Sequence, residues 1–61
     1  MPEFVLGFKA FADAHPEVGK PLAEEFALVP GMINAQPTTT GLLVYYIKPN
    51  TIHFFAAAAH S

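Results

Sequence analysis

The fold of this chain is decided by residues 38–55, TTTGLLVYYIKPNTIHFF. Gly41 to Ile47 combines β-branched, aromatic and aliphatic residues, a composition that favours a half-buried strand. The following Lys48-Pro49-Asn50-Thr51 predicts a turn, and proline excludes the two-residue primed type because it cannot adopt a positive φ. We therefore predict an antiparallel hairpin with strands at about 39–47 and 51–57, joined by a longer loop.

Side chains alternate along a strand, so the hairpin has two faces. We expect Ile47 to lie opposite Ile52. One face then carries Leu42, Val44, Tyr46, His53 and Phe55, and the other carries Leu43, Tyr45, Ile47, Ile52, Phe54 and Ala56. Both faces are largely apolar, and a bare hairpin is marginally stable in water. The N-terminal segment can cover one face, while the other requires further strands, a second copy or the rest of a larger protein.

The expected fold class is α+β, with one N-terminal helix packed on a small antiparallel sheet. Phe4, Phe8 and Phe11 recur at helical spacing, and Pro16 ends that pattern. Residues 22–29 fit a helix and a strand equally well on pattern alone, and residues 32–37 fit a loop or a short extended run. The segments of the expected single domain are a helix at 3–15, a connector at 16–21, sheet and loops at 22–57, and a tail at 58–61.

Composition limits the classes of function. Only 13% of the 61 residues are charged, about half the usual ~25%, which predicts a homo-oligomer or contact with domains of a parent protein. Three lysines and a net charge of -2 do not provide the basic patch that nucleic acids require. No apolar run approaches the ~20 residues of a transmembrane helix. Glu3 near the N-terminus is unlike a signal peptide.

Chemistry-bearing residues do not form a catalytic pattern. His15, His53 and His60 lack the spacing of a metal site. Glu24 and Glu25 are adjacent and point in different directions, so they do not form an acid–base pair. The chain has no cysteine, and its glycines are isolated rather than grouped in a phosphate loop. We predict no enzyme activity, no catalytic residue, no metal and no cofactor.

The aromatic residues of the hairpin are the candidate contact residues. Filling a core and a dimer seam is the favoured interpretation, and a platform for stacking on sugar rings is the alternative. The candidate ligand or interface residues are Tyr45, Tyr46, Asn50, His53 and Phe55. Asn50 is included because it stands in the turn, where its side chain can be exposed.

A series of motifs resembles a small bacterial accessory module that is appended to secreted cell-wall hydrolases. These motifs are Gly7-Phe8-Lys9, Ala12-Asp13, Val18-Gly19-Lys20-Pro21-Leu22, Gln36, the TTTGLLV of residues 38–44, Asn50 and Phe54. The resemblance implies a helix followed by an antiparallel sheet, and it favours a third strand at about 22–28. The module has tryptophans where this chain has Tyr45 and Thr51. The chain also ends earlier than the module, as a shortened or diverged copy would.

The resemblance implies a non-catalytic accessory or interaction module of an extracellular or cell-envelope protein. Its expected partners are cell-wall glycan or a neighbouring protein surface. The alternative, from the residues themselves, is a self-assembling structural protein whose apolar hairpin adds edge to edge into an oligomer or filament. The low charge and the apolar, proline-free stretch Gly41 to Ile47 favour this alternative.

Overall fold

One helix and four strands make up the protein in a computed structural model that describes residues 1–57. In chain order they are helix α1 (Leu6–Ala14), a 3-10 turn (Pro16–Val18) and strands β1 (Phe26–Val29), β2 (Ile33–Thr38), β3 (Gly41–Tyr46) and β4 (Thr51–Ala56). Helix α1 packs on the sheet, so the predicted α+β class is confirmed. The expected tail at 58–61 lies outside the described residues.

The four strands form an antiparallel sheet in the order β1-β2-β3-β4. The predicted hairpin is its second half, with Tyr46 opposite Thr51 and Leu42 opposite Phe55. The pairing is shifted by two residues from the expected Ile47–Ile52 register. The reason is a loop at residues 47–50, in which the Asn50 amide donates to the Tyr46 carbonyl at 3.0 Å.

Several expected boundaries differ from the observed ones. The third strand spans Phe26–Val29 instead of 22–28, and the hairpin strands span Gly41–Tyr46 and Thr51–Ala56 instead of 39–47 and 51–57. A further strand, β2, occupies Ile33–Thr38, in a segment for which the sequence left a loop and a short extended run open. Helix α1 begins at Leu6 instead of residue 3, because Val5 is extended at φ -130° and ψ 154°. Within residues 1–57, no helix has the length and hydrophobicity to cross a membrane.

The core lies between α1 and one face of the sheet. Phe8, Val18 and Leu43 are buried there, and the larger side chains packed against them are Phe4, Phe11, Tyr45, Ile52 and Phe54. The sheet residues of this set belong to a single face, as alternation requires. The phenylalanines at helical spacing therefore do face the hairpin.

The threonines of the TTTG motif lie at the turn between β2 and β3, where Thr38 bonds within the turn and Thr40 bonds outside it. The Thr38 hydroxyl accepts the amides of Thr40 and Gly41 at 3.2 and 3.0 Å. The Thr40 hydroxyl lies 2.8 and 2.6 Å from the carbonyls of Glu17 and Val18. The motif thus bonds the 3-10 turn to the sheet, which is a structural role for it.

Gln36 connects two further segments to the middle of the sheet. Its side chain is 0% exposed, and its Nε2 donates to the carbonyls of Glu3 and Ala23, at 2.9 Å each. The Oε1 of the same amide is buried without a hydrogen-bond partner. This amide therefore holds the chain in place just before α1 and just before β1.

Candidate ligand groove and open sheet face

The hairpin distributes the five candidate residues over two surfaces. Tyr45 lies on the face that packs toward α1, with Asn50 in the loop beside it. Tyr46, His53 and Phe55 belong to the opposite face, which α1 does not cover. The two-residue shift in register leaves this division unchanged, because side-chain facing has a period of two.

A groove runs between α1 and the sheet on the Tyr45 side. Its volume is about 550 Å³, within the range of small-ligand sites. The lining residues are Val5, Leu6, Gly7, Phe8, Phe11, Glu25, Asn34, Tyr45, Asn50 and Ile52. The helix side of the groove is apolar, and the polar side chains come from the sheet and its loops.

Two hydrogen-bonded pairs form the polar side of the groove. The Tyr45 hydroxyl donates to Asn50 Oδ1 at 2.7 Å. Asn34 Nδ2 donates to Glu25 Oε2 at 3.1 Å. Asn34 and Tyr45 are cross-strand partners on β2 and β3, so the four side chains follow one another across the sheet. Each pair retains unused donors or acceptors, which a ligand could engage.

The groove contains a single ionisable carboxylate. Glu25 is half-buried, whereas Glu24 is exposed and does not line the groove. The geometry therefore offers hydrogen bonds and apolar contact, with one negative charge at the β1 end. Such a lining suits a neutral, hydroxyl-rich ligand better than an anion.

The rim of the groove includes an unusual backbone conformation. Leu6, the first residue of α1, has φ 49°, in the left-handed region that leucine rarely adopts. Its side chain is 88% exposed. This conformation places a leucine side chain at the mouth of the groove with almost no burial to compensate for it.

The other side of the sheet carries an aromatic row. The Tyr46 and His53 rings meet edge to face at 5.4 Å, and His53 and Phe55 stack at 6.3 Å between centroids. Phe26 on β1 lies on the same face, since it pairs through Ala35 and Val44 to His53. We call this surface the open face.

Ionisable pairs elsewhere lie on the surface. Lys9 Nζ is 3.0 Å from Asp13 Oδ2, and His15 Nδ1 is 3.2 Å from Glu17 Oε2. All four side chains are exposed, and none lines the groove. In the described part of the chain, no three histidine, aspartate or glutamate side chains are grouped as metal ligands would be. His60 lies outside that part.

Glu25 and Asn34 are groove residues that the sequence did not predict. Glu25 stands next to Glu24, and the pair was excluded as an acid–base site. Asn34 lies in the segment 32–37, for which a loop and a short extended run were both open. Their pairing depends on β2, whose existence brings them together across the β1–β2 hairpin. An asparagine and a glutamine two residues apart, Asn34 and Gln36, were the available signal of a strand with a polar inner side.

No protein-family model, curated protein or solved structure matches this chain. The resemblance to an accessory module of cell-wall hydrolases therefore stays a prediction, and the function is argued from the geometry.

Proposed function

We propose that this protein is a non-catalytic binding module of an extracellular or cell-envelope protein, and that its groove holds a short stretch of cell-wall glycan. The observation that carries the proposal is the pairing of an apolar helix wall with four polar side chains on the facing sheet. Sugars present apolar ring faces and hydroxyl groups together. A site of this mixed character matches both.

The polar side chains suit hydroxyl and amide groups. Tyr45, Asn34 and Asn50 are neutral and can donate or accept, so they can exchange hydrogen bonds with either group. The Tyr45 ring also offers an apolar surface beside its hydroxyl. These groups are already held by their mutual bonds, which lowers the cost of ordering them on binding.

The proposal is for binding without catalysis because the groove provides one carboxylate. Glycoside hydrolysis generally uses two carboxyl groups that flank the bond to be broken. Glu25 is the one carboxylate among the residues that line this groove, and it accepts a hydrogen bond from Asn34. A role as an acceptor for a ligand hydroxyl fits this setting.

Binding to peptidoglycan tests the proposal, with two tyrosines as a matched pair. Tyr45→Phe removes the hydroxyl in the groove, whereas Tyr46→Phe removes one on the open face. A hydrogen bond is worth about 1 kcal/mol, so the first change should weaken binding roughly fivefold. The control should bind as the unchanged protein does. Titration of soluble peptidoglycan fragments, followed by amide chemical shifts, gives the affinity and the location together.

The identity of the ligand is tested at Glu25. Glu25→Gln keeps the shape and an acceptor but removes the charge. A glycan should bind this variant within about twofold of the unchanged protein, whereas a cationic peptide should lose affinity because the Coulomb attraction is gone. Absence of fragment binding by the unchanged protein, or equal losses for the two tyrosine variants, would refute the glycan proposal.

A second candidate function is self-assembly as a structural protein, which the apolar open face favours. In this case the groove would be incidental and the sheet would be the functional surface. Assemblies that lengthen into filaments as the protein concentration rises, and that do not bind peptidoglycan, would support this candidate over the first.

A further inference from the structure

The open face carries little polar surface. Its outermost rings are Phe26 on β1 and Phe55 on β4, which are 46% and 52% exposed. Between them Ala35 and Val44 are only 0% and 4% exposed. Helix α1 packs on the opposite side of the sheet. The polar groups of the open face are the Tyr46 hydroxyl and the side chains of Thr51 and His53.

Formal charge is also nearly absent from this part of the protein. From residue 26 to residue 57 the only formally charged side chain is Lys48, which stands in the β3–β4 loop. A contiguous exposed apolar patch of this kind marks an interaction site. A basic, membrane-seeking face would carry several lysines or arginines, so a lipid surface does not fit. An uncharged, flat face is complementary to another of its own kind.

We propose that the open face binds a second copy of this chain, sheet against sheet. Two such faces related by a two-fold axis present the same patch to one another, as closed dimers do. Aligned sheets pack about 10 Å apart at about 30°. The arrangement does not depend on the ligand of the groove.

The area is adequate for a dimer of modest affinity. Strand β1 has four residues and the other three strands have six each. At about 3.3 Å per residue and about 4.8 Å between strands, they cover roughly 350 Å² in projection. A pair therefore removes about 700 Å². The two half-exposed phenylalanine rings of each copy, at ~100 Å² each, raise the total to about 1,100 Å², near the lower limit of ~1,200 Å² for stable interfaces. We expect a dissociation constant in the micromolar range.

Stacking would also set the position of the grooves. The groove lies on the α1 side of the sheet, and the dimer contact lies on the other. Two grooves would therefore face outward in opposite directions, and the pair could bridge two ligand strands. Bivalency of this kind raises apparent affinity without any new contact.

The test is sedimentation equilibrium with variants at opposite edges of the open face. The unchanged protein should approach twice its chain mass of 6.6 kDa as its concentration rises to about the millimolar range. Phe26→Glu and Phe55→Glu should each raise the dissociation constant of the dimer at least tenfold, because each places a charge inside the contact. Ala10→Glu, on the exposed side of α1, is the matched control and should leave it unchanged.

The two edges distinguish stacking from other contacts. Loss of the dimer in only one of the two variants would show edge-to-edge pairing through that strand, and would overturn the proposal. A monomer at every concentration, or particles that grow without limit, would overturn it as well. Circular dichroism confirms that each variant is folded, and Phe→Ser at the same position replaces any glutamate variant that is not.

Discussion

Replacement of Gln36 by glutamate is the most direct test of how the segments around the groove are held. Its Nε2 donates to two carbonyl oxygens, at 2.9 Å each, from a side chain that is 0% exposed. An ionised carboxylate has the same shape but no donor. Gln36→Glu therefore places a negative charge against two acceptors and out of water.

The cost follows from the two bonds and the buried charge. Two lost hydrogen bonds amount to about 2 kcal/mol, and an unpaired buried carboxylate adds several more. At about 0.05–0.15 kcal/mol per residue, a domain of this size has roughly 3–9 kcal/mol in total. We expect Gln36→Glu to be largely unfolded at pH 7.

Acid should restore part of the stability. Burial favours the neutral acid, so the pKa of the introduced carboxyl in the folded state should lie above its unfolded value of ~4.3. Stability is then greatest below the unfolded pKa and is lost as the pH rises through the folded pKa. Below that range the protonated acid can donate one of the two bonds.

Thermal melts between pH 3 and pH 8, followed by circular dichroism, measure this effect relative to the unchanged protein. Gln36→Met is the matched control, because it removes both bonds but also removes the unpartnered Oε1. The loss of two hydrogen bonds lowers the free energy of unfolding, and the removal of the unpartnered oxygen raises it. We expect the free energy of unfolding of Gln36→Met to lie within about 1 kcal/mol of that of the unchanged protein, at every pH. A Gln36→Glu melting temperature equal to that of the unchanged protein at pH 7 would show that these two hydrogen bonds do not hold the segments.

Two backbone positions give further predictions. Leu6→Gly should raise the free energy of unfolding by about 0.5–1 kcal/mol, because it relieves a left-handed φ of 49° at the cost of some chain entropy; a lower melting temperature would contradict this. Gly19→Ala should lower it by at least about 2 kcal/mol, since φ 83° with ψ -147° is essentially glycine-only and a Cβ would collide with Thr39. Urea titration measures both, and a Gly19→Ala midpoint equal to that of the unchanged protein would refute the second.

The helix and the hairpin could be predicted from the sequence because their signals are local. Three phenylalanines at helical spacing indicate a helix whatever surrounds it, and the run from Gly41 to Ile47 indicates a strand. The division of the hairpin into two faces follows from alternation. The length of its loop is harder to predict, because Asn50 adopts a left-handed conformation at φ 67°. The observed pairing of the strands therefore differs by two residues from the predicted one.

Strand β2 could not be distinguished from a loop in the sequence, because its inward-facing residues are polar and it contains a proline. Asn34 and Gln36 face the helix side, where their amides bond to Glu25 and to backbone carbonyls. Pro37 is tolerated because β1 pairs with β2 no further than Ala35. Beyond that point the Pro37 carbonyl accepts the Leu22 amide at 3.0 Å, and no amide is required of the proline.

Only two of the four polar groove residues could be predicted, because the other two depend on strand β2. Tyr45 and Asn50 lie within the hairpin and could be named from it. Glu25 reaches them only through Asn34, in a segment for which the sequence left a loop and a short extended run open. The sites that depend on non-local pairing are those that a single sequence shows least.

The loop between β3 and β4 can change in length without turning β4 over. Cross-strand partners share a face of the sheet however many residues join the strands. While Tyr46 still pairs with Thr51, an insertion at 47–50 leaves His53 and Phe55 pointing away from the helix. A one-residue slip of the pairing itself would instead point His53 and Phe55 at the helix. Insertions in this loop should therefore be tolerated far better than a slip between the strands that it joins.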